Sequence, residues 1–270
     1  MKPPVLCYHR IGGPLELGVT RVGRSVFTRQ MTALARAGWR TLSLEDYSSR
    51  LQRSVVASDN EFLLTFDDGY ESLAAQAYPV LAELGFTATT FLITDYVGRT
   101  NAWDMRYTWK RLSHLRWRQI EQWHARGFAF ASHGATHSRL TWLSNAAVER
   151  ELTTSRTMLT ARLGSAAGRA IAYPFGAVDD RVVAHARAAG YELGFGGVKG
   201  SNDPLRLARV PVYTWDAGIP FGLRTDVIGH VGRFVAHAAN RCSVGTTVMN
   251  LVRAPLTRKS ALQPESVRDA

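Results

Sequence analysis

The sequence predicts an α/β protein, a parallel sheet or barrel assembled from successive βα units. Short apolar runs rich in β-branched and aromatic residues alternate with amphipathic stretches of helical period. Glycines close several of the helical stretches, and the polar motifs of the chain fall where the apolar runs end. No internal repeat is present.

Val5 to His9 reads as the first strand. Phe27 to Ala37 follows as a helix, with Phe27, Met31, Leu34 and Ala35 at helical spacing and Gly38 as its stop. Phe62 to Phe66 is a buried-strand run ending at Asp67-Asp68-Gly69, and Leu73 to Leu84 is the helix behind it, closed by Gly85. Phe86 to Ile93 is the next strand. A helix over Trp117 to Gly127 feeds the strand Phe128 to Ser132, which delivers His133. Asn145 to Leu163 is a long helix, Ala170 to Tyr173 a short strand ending in Pro174-Phe175-Gly176, and Asp179 to Ala189 a further helix before Gly190. The barrel pattern then fades. A single domain over residues 1–252 is expected, followed by a polar, charged tail over 253–270 that is loosely attached or disordered.

A chain of 270 residues, 46% of them hydrophobic, suffices for one large core, and single α/β barrels reach this size. Lys and Arg number 33 against 22 Asp and Glu, a formal charge of +11 at pH 7. The basic residues are scattered, with no long run and no zinc-finger or RNA-binding signature, which describes a solvated basic surface and no nucleic-acid partner. The polar pair Tyr8-His9 interrupts the N-terminus before a signal-peptide apolar region forms. No apolar run approaches the ~20 residues that span a bilayer. A cytoplasmic location is therefore expected, and Cys7 and Cys242 fit it as reduced thiols. Oligomeric state is not legible.

Three strand-end motifs carry chemistry. Asp67 and Asp68 sit where a buried strand runs into a glycine turn, the position at which α/β folds expose functional groups. Ser132-His133-Gly134-Ala135-Thr136-His137 places two imidazoles at i and i+4, which one helical turn would bring to the same side. Two histidines and a carboxylate are the three protein ligands of a catalytic zinc site with an open position for water. Ala172-Tyr173-Pro174-Phe175-Gly176 brackets a turn whose free N–H groups could face a developing oxyanion.

In order and spacing, Thr65-Phe66-Asp67-Asp68-Gly69-Tyr70, then Ser132 to His137, then Tyr173-Pro174-Phe175-Gly176, resemble the first three motifs of the polysaccharide deacetylase family (NodB homology, carbohydrate esterase family 4). The resemblance runs from about Val5 to Val212 and implies a distorted (β/α)7 barrel. It makes Asp67 the general base and Asp68, His133 and His137 the ligands of a divalent metal, zinc first, with cobalt or nickel as alternatives. It also assigns Tyr173, Pro174, Phe175 and Gly176 to substrate and oxyanion contacts. Three departures stand out. Gly134 occupies a place where the family usually has Ser or Thr, and Ile171-Ala172-Tyr173 lacks the arginine usual upstream of the proline. Val248 to Arg253 lacks the histidine of the family's C-terminal motif.

Two residues resemble those that fill these gaps. Leu6-Cys7-Tyr8-His9-Arg10-Ile11 resembles the Tyr-His strand of a circularly permuted branch of the family, which contains biofilm poly-N-acetylglucosamine deacetylases, and implies His9 as the general acid; Arg209, in Leu207-Ala208-Arg209-Val210-Pro211-Val212, resembles the arginine of a branch with Tyr-Pro-Phe-Gly motifs and could orient Asp67. Trp103-Asp104 and Trp215-Asp216 pair an aromatic with an acid, as a sugar contact would, but core packing explains them equally well. The expected activity is metal-dependent removal of an acetyl group from an N-acetylated glycan, oligosaccharide or sugar conjugate. An O-acetyl esterase uses the same water attack and stays open as an alternative, as does a non-catalytic carbohydrate-binding barrel.

Overall fold

The computed structural model describes residues 2–13, 19–53, 60–101, 112–214 and 216. Its first strand, β1 (Val5–Tyr8), is buried at every position, as a short apolar run must be when both faces of a parallel sheet are covered. β2 (Arg10–Ile11) and β3 (Arg21–Val22) pair as a separate ribbon. α1 (Arg24–Arg36) turns Phe27, Met31 and Leu34 inward, and β4 (Arg40–Thr41) and α2 (Leu44–Arg53) lead into the buried strand β5 (Glu61–Phe66). The order continues α3 (Ser72–Gln76), α4 (Tyr78–Glu83), β6 (Thr89–Leu92), α5 (Trp117–His124), β7 (Ala129–Ser132) and α6 (Asn145–Leu163). It ends with β8 (Ala170–Ala172), α7 (Asp180–Ala188), β9 (Leu193–Phe195) and β10 (Val210–Pro211).

The strands order as β10-β1-β5-β6-β7-β8-β9, with β4 on the first half of β5 and every pairing parallel. A parallel bridge from Phe195 to Leu207, with β10 against β1, curls the sheet into a half-barrel. This is the distorted (β/α)7 architecture expected from the motifs. Alternate residues of the strands face opposite sides of the sheet. Leu6, Tyr8, Phe62, Leu64 and Phe66 pack with the helices, whereas Val5, Leu63, Phe91, Ala131, Ala172 and Phe195 fill the interior of the curl. Parallel pairing aligns the C-terminal strand ends on one face: Tyr8 lies opposite Phe66, and Ser132 opposite Ile171. His9, Asp67, His133 and Pro174 follow those ends.

Several expectations shift in detail. The helix expected over 73–84 is broken at Ala77 (φ −108°, ψ −56°). Pro79 has no N–H to give the preceding turn, and its ring crowds the carbonyl four residues back. The strand expected over 86–93 is regular only from Thr89 to Leu92. β2, β3, β4, α2, β9 and β10 have no counterpart among the elements read from the sequence. Among the described residues no helix is long and apolar enough to cross a membrane. Cys7 is a buried free thiol. Cys242, Trp103, Asp104, Trp215, residues 217–252 of the expected domain and the 253–270 tail lie outside the described residues.

Candidate active site and metal centre

Asp68, His137 and Phe175 are the non-glycine residues with left-handed backbone among those described (φ 68°, 63° and 62°), one from each strand-end motif. Such conformations cost on the order of 1–3 kcal/mol each and persist where the surroundings over-determine them. At the first motif, Asp68 is followed by Gly69 (φ 66°), where an added Cβ would lie 2.6 Å from Leu92 Cδ2. This tight reversal sends two adjacent carboxylates to different partners. The Asp68 carbonyl is held by His114 Nδ1 at 2.7 Å.

The i, i+4 spacing of His133 and His137 works differently from the helical turn expected. Residues 133–139 are not helical; Gly134 (φ 79°) and His137 turn an irregular loop that brings the two rings to 5.0 Å. His133 Nδ1 meets the Ala172 carbonyl at 2.7 Å. A carbonyl only accepts, so Nδ1 carries the proton and the Nε2 lone pair faces the site. Burial pulls the His133 pKa down to about 4 against the raising influence of Asp67 and Asp68, which keeps the ring neutral at pH 7.

Asp68 Oδ1 lies 3.5 Å from His133 Nε2 and 3.3 Å from His137 Nε2, contacts that fall short of hydrogen-bond geometry and leave this buried oxygen without a donor. One carboxylate oxygen and two imidazole nitrogens thus converge within 4.8 Å of one another. A divalent cation suits that donor set: it satisfies the orphaned oxygen and takes up imidazole lone pairs. Burial would raise the Asp68 pKa, but the neighbouring histidines hold it below its ordinary value, so the carboxylate is ionised.

Asp67 faces the other way. Arg209 grips it through two parallel bonds, Nη1 to Oδ1 at 2.7 Å and Nη2 to Oδ2 at 2.8 Å, and donates Nε to the Gly196 carbonyl at 3.1 Å. Both partners are buried. Burial alone would raise the Asp67 pKa; Arg209 and, more weakly, His133 and His9 hold it well below the carboxylate range. Cys7 Sγ sits 3.6 Å from Oδ2, and burial pushes the thiol far above its usual range, so it donates S–H to Asp67. Cys7, His9 and Asp67 also fall within metal-ligand reach of one another. That trio is a poor cation site, because the thiol keeps its proton and Asp67 is already neutralised by Arg209. His9, partly exposed, places Nε2 4.0 Å from Asp67 Oδ2.

In the third motif, Pro174–Gly176 form a tight turn in which Phe175 departs from helical geometry (φ 62°, ψ 11°). Gly176 N–H is spent on the Tyr173 carbonyl at 2.8 Å, whereas Phe175 N–H donates to no acceptor among the described residues. The Phe175 ring packs 4.7 Å from that of His137. Pro174 is buried, and Gly176 (φ 62°) lies so close to Gly197 that a Cβ would come within 2.8 Å of its Cα. Tyr173 is fully buried with its hydroxyl on the Leu205 carbonyl, so its side chain serves the core rather than the Asp68, His133 and His137 cluster. Asp216 is likewise structural: Oδ2 accepts from Tyr213 N–H at 2.7 Å and its carbonyl from Gln30.

Sequence reasoning missed Glu151, on the buried face of α6, whose carboxylate accepts from the loop between the two histidines. A signal was present: Val148, Leu152, Ser155 and Leu159 form the inward stripe, and Glu151 lies within it.

Residues 55–194 match the family model described as polysaccharide deacetylase. The Bacillus subtilis (strain 168) protein YxkH, whose name places it among polysaccharide deacetylases, is 28% identical over 225 residues, 82% of this chain and 75% of its own length. A Staphylococcus aureus (strain N315) protein named poly-beta-1,6-N-acetyl-D-glucosamine N-deacetylase is 25% identical over 185 residues, 64% of this chain and 60% of that protein. Among solved structures, a Streptococcus pyogenes deacetylase in complex with acetate superposes with a TM-score of 0.72 at 25% identity, covering 83% of this chain and 96% of that one. With the family model spanning more than half of its length and all three motifs on one rim, the chain belongs to the polysaccharide deacetylase family.

Proposed function

We propose that this protein hydrolyses the amide of an N-acetylated sugar residue, releasing acetate and a free amine, with a divalent metal held by Asp68, His133 and His137. The observation that supports it best is the division of labour between adjacent carboxylates: Asp68 converges with two imidazoles while Asp67 is locked in its ionised form by Arg209. A bound divalent metal supplies an acidified water, of pKa about 7, and polarises the acetyl carbonyl. Zinc is the first choice, with cobalt or nickel accepted by the same donors.

Asp67 takes the proton of the attacking water. Its low proton affinity makes it a weak base, adequate for a water already acidified. The Phe175 N–H is the backbone donor for the oxygen that gains charge as the carbonyl carbon becomes tetrahedral. The C–N bond then breaks, and His9 gives its proton to the departing amine, a step an amide needs far more than an ester does. That need favours N- over O-deacetylation. An N-terminal acid would resemble the arrangement of the permuted branch. The name of the S. aureus relative makes an N-acetylglucosamine glycan, or a conjugate bearing that sugar, the substrate class to test first.

Incubation with β-1,6-linked N-acetylglucosamine oligomers, quantifying acetate and free amine together, tests this directly. Equimolar release of both is expected. Acetate from O-acetylated glycans with no amine from N-acetylated ones would replace the proposal with the esterase reading.

A further inference from the structure

The loop between the two histidines is irregular and ends on a strained residue, yet its peptide groups are accounted for nearly one by one. Gly134 N–H donates to Ser132 Oγ at 3.1 Å, and the Gly134 and Ala135 carbonyls accept from Thr94 and Asp95 N–H at 3.2 and 3.0 Å. The remaining donors all converge on one side chain. Ala135 N–H and Thr136 N–H both donate to Glu151 Oε2 at 2.9 Å, and Thr136 Oγ1 donates to Oε1 at 2.5 Å.

Glu151 reaches this loop from the middle of α6, the 19-residue helix that packs on β7 and α7. Its carboxylate is buried and, among the described residues, all its side-chain hydrogen bonds go to Ala135 and Thr136. Helix packing alone would be served better by an apolar residue, since a buried carboxylate is costly unless its acceptors are filled. The close approach also accounts for the glycine that departs from the family pattern: at φ 79°, a Cβ on residue 134 would stand 3.2 Å from Glu151 Oε2. Four residues further along α6, Ser155 Oγ meets Ser132 Oγ at 2.8 Å, so one helix face fixes both the strand end before His133 and the loop before His137.

We infer that Glu151 is a positioning residue for the metal centre: by fixing the peptide groups of 135 and 136 it holds His137 in its left-handed conformation and aims Nε2 at the cluster. This rests on the proposal that Asp68, His133 and His137 bind the metal. Outer partners that orient ligands are typically worth about 10–100-fold in metal affinity.

The test uses the full chain, metal-stripped, titrated with zinc against a competing chelating indicator, alongside its thermal unfolding without metal. Glu151→Gln keeps an acceptor oxygen for the two N–H groups, and Thr136 can reverse its hydroxyl toward Ser138, which its Oγ1 already meets at 2.8 Å. Its zinc affinity should stay within a few-fold of the parent. Glu151→Asp keeps the charge but withdraws the carboxylate by one methylene, and Glu151→Ala removes it; both should bind zinc about 10–100-fold more weakly. Glu151→Asp also serves if the alanine variant fails to fold. Weakening in Gln but not in Asp would show that charge rather than position matters, and would overturn the inference. Lower unfolding temperatures with unchanged zinc affinity would reduce Glu151 to a packing residue and overturn it as well. A parent chain that binds no zinc removes the metal proposal, and this inference with it.

Discussion

Replacing Arg209 by methionine isolates the most buried ionic contact of the site. The guanidinium makes two parallel bonds to Asp67 at 2.7 and 2.8 Å, with side-chain exposures of only 5% and 4%. Methionine fills much of the volume but leaves a buried carboxylate with no cation, a loss of about 3–5 kcal/mol at neutral pH. The sign of the pH dependence follows from burial. In the parent protein the folded Asp67 pKa is depressed, so its stabilisation is complete above the unfolded value of about 3.9 and fades only as pH falls through the folded value. In Arg209→Met burial prevails and the folded pKa rises above the unfolded one, so the variant regains stability as pH falls and the carboxyl takes a proton. Urea unfolding of both proteins, metal-free, at pH 7 and pH 5 should show a deficit of about 3–5 kcal/mol that shrinks in acid. Adding Asp67→Asn to the variant should recover part of it at pH 7. A deficit under about 1 kcal/mol at pH 7, the worth of a surface pair, or one that does not change with pH, would refute the reasoning.

Asp67→Asn alone should leave zinc affinity within a few-fold, because Asp67 is outside the ligand trio, while acetate release falls by about 10²–10⁴; a fall in zinc binding that matches the loss of rate would contradict the separation of roles. His9→Ala should lose a similar factor on N-acetyl substrates but little on 4-nitrophenyl acetate, whose leaving group needs no proton, so equal losses on both would count against the acid role. Gly69→Ala combines a left-handed backbone with a Cβ 2.6 Å from Leu92 Cδ2 and should destabilise the fold by at least about 1–3 kcal/mol in thermal or urea unfolding.

The strand ends were legible because apolar runs of four to six residues stop abruptly at polar motifs, and parallel pairing does the rest. α6 was legible to the residue, Asn145 to Leu163. The break between α3 and α4 is marked in the sequence only by Pro79, which sits in the first turn of α4, where a helix tolerates proline. α2 hid because only Leu44, Tyr47 and Leu51 mark its inward side, although Ser43 caps its start by accepting from Asp46 N–H at 3.0 Å. Within the site, local motifs announced the donors but not how they are aimed. The grip of Arg209 on Asp67 joins residues 142 apart in sequence; only the family resemblance implies that pair, because nothing local encodes it and β10 must first pair with β1. Tyr173 shows the converse, a motif residue whose side chain turns to the core. Glu151 was hidden because a glutamate in a helix is ordinarily a solvated one.

Metal content measured together with activity tests the central claim most directly. The purified chain should carry about one zinc per site, as a three-ligand centre implies. Stripping it with a chelator should abolish acetate release from N-acetylglucosamine oligomers, zinc, cobalt or nickel should restore it, and His133→Ala should neither hold metal nor turn over. Undiminished acetate release by the metal-free protein, or by a His133→Ala variant without metal, would contradict it.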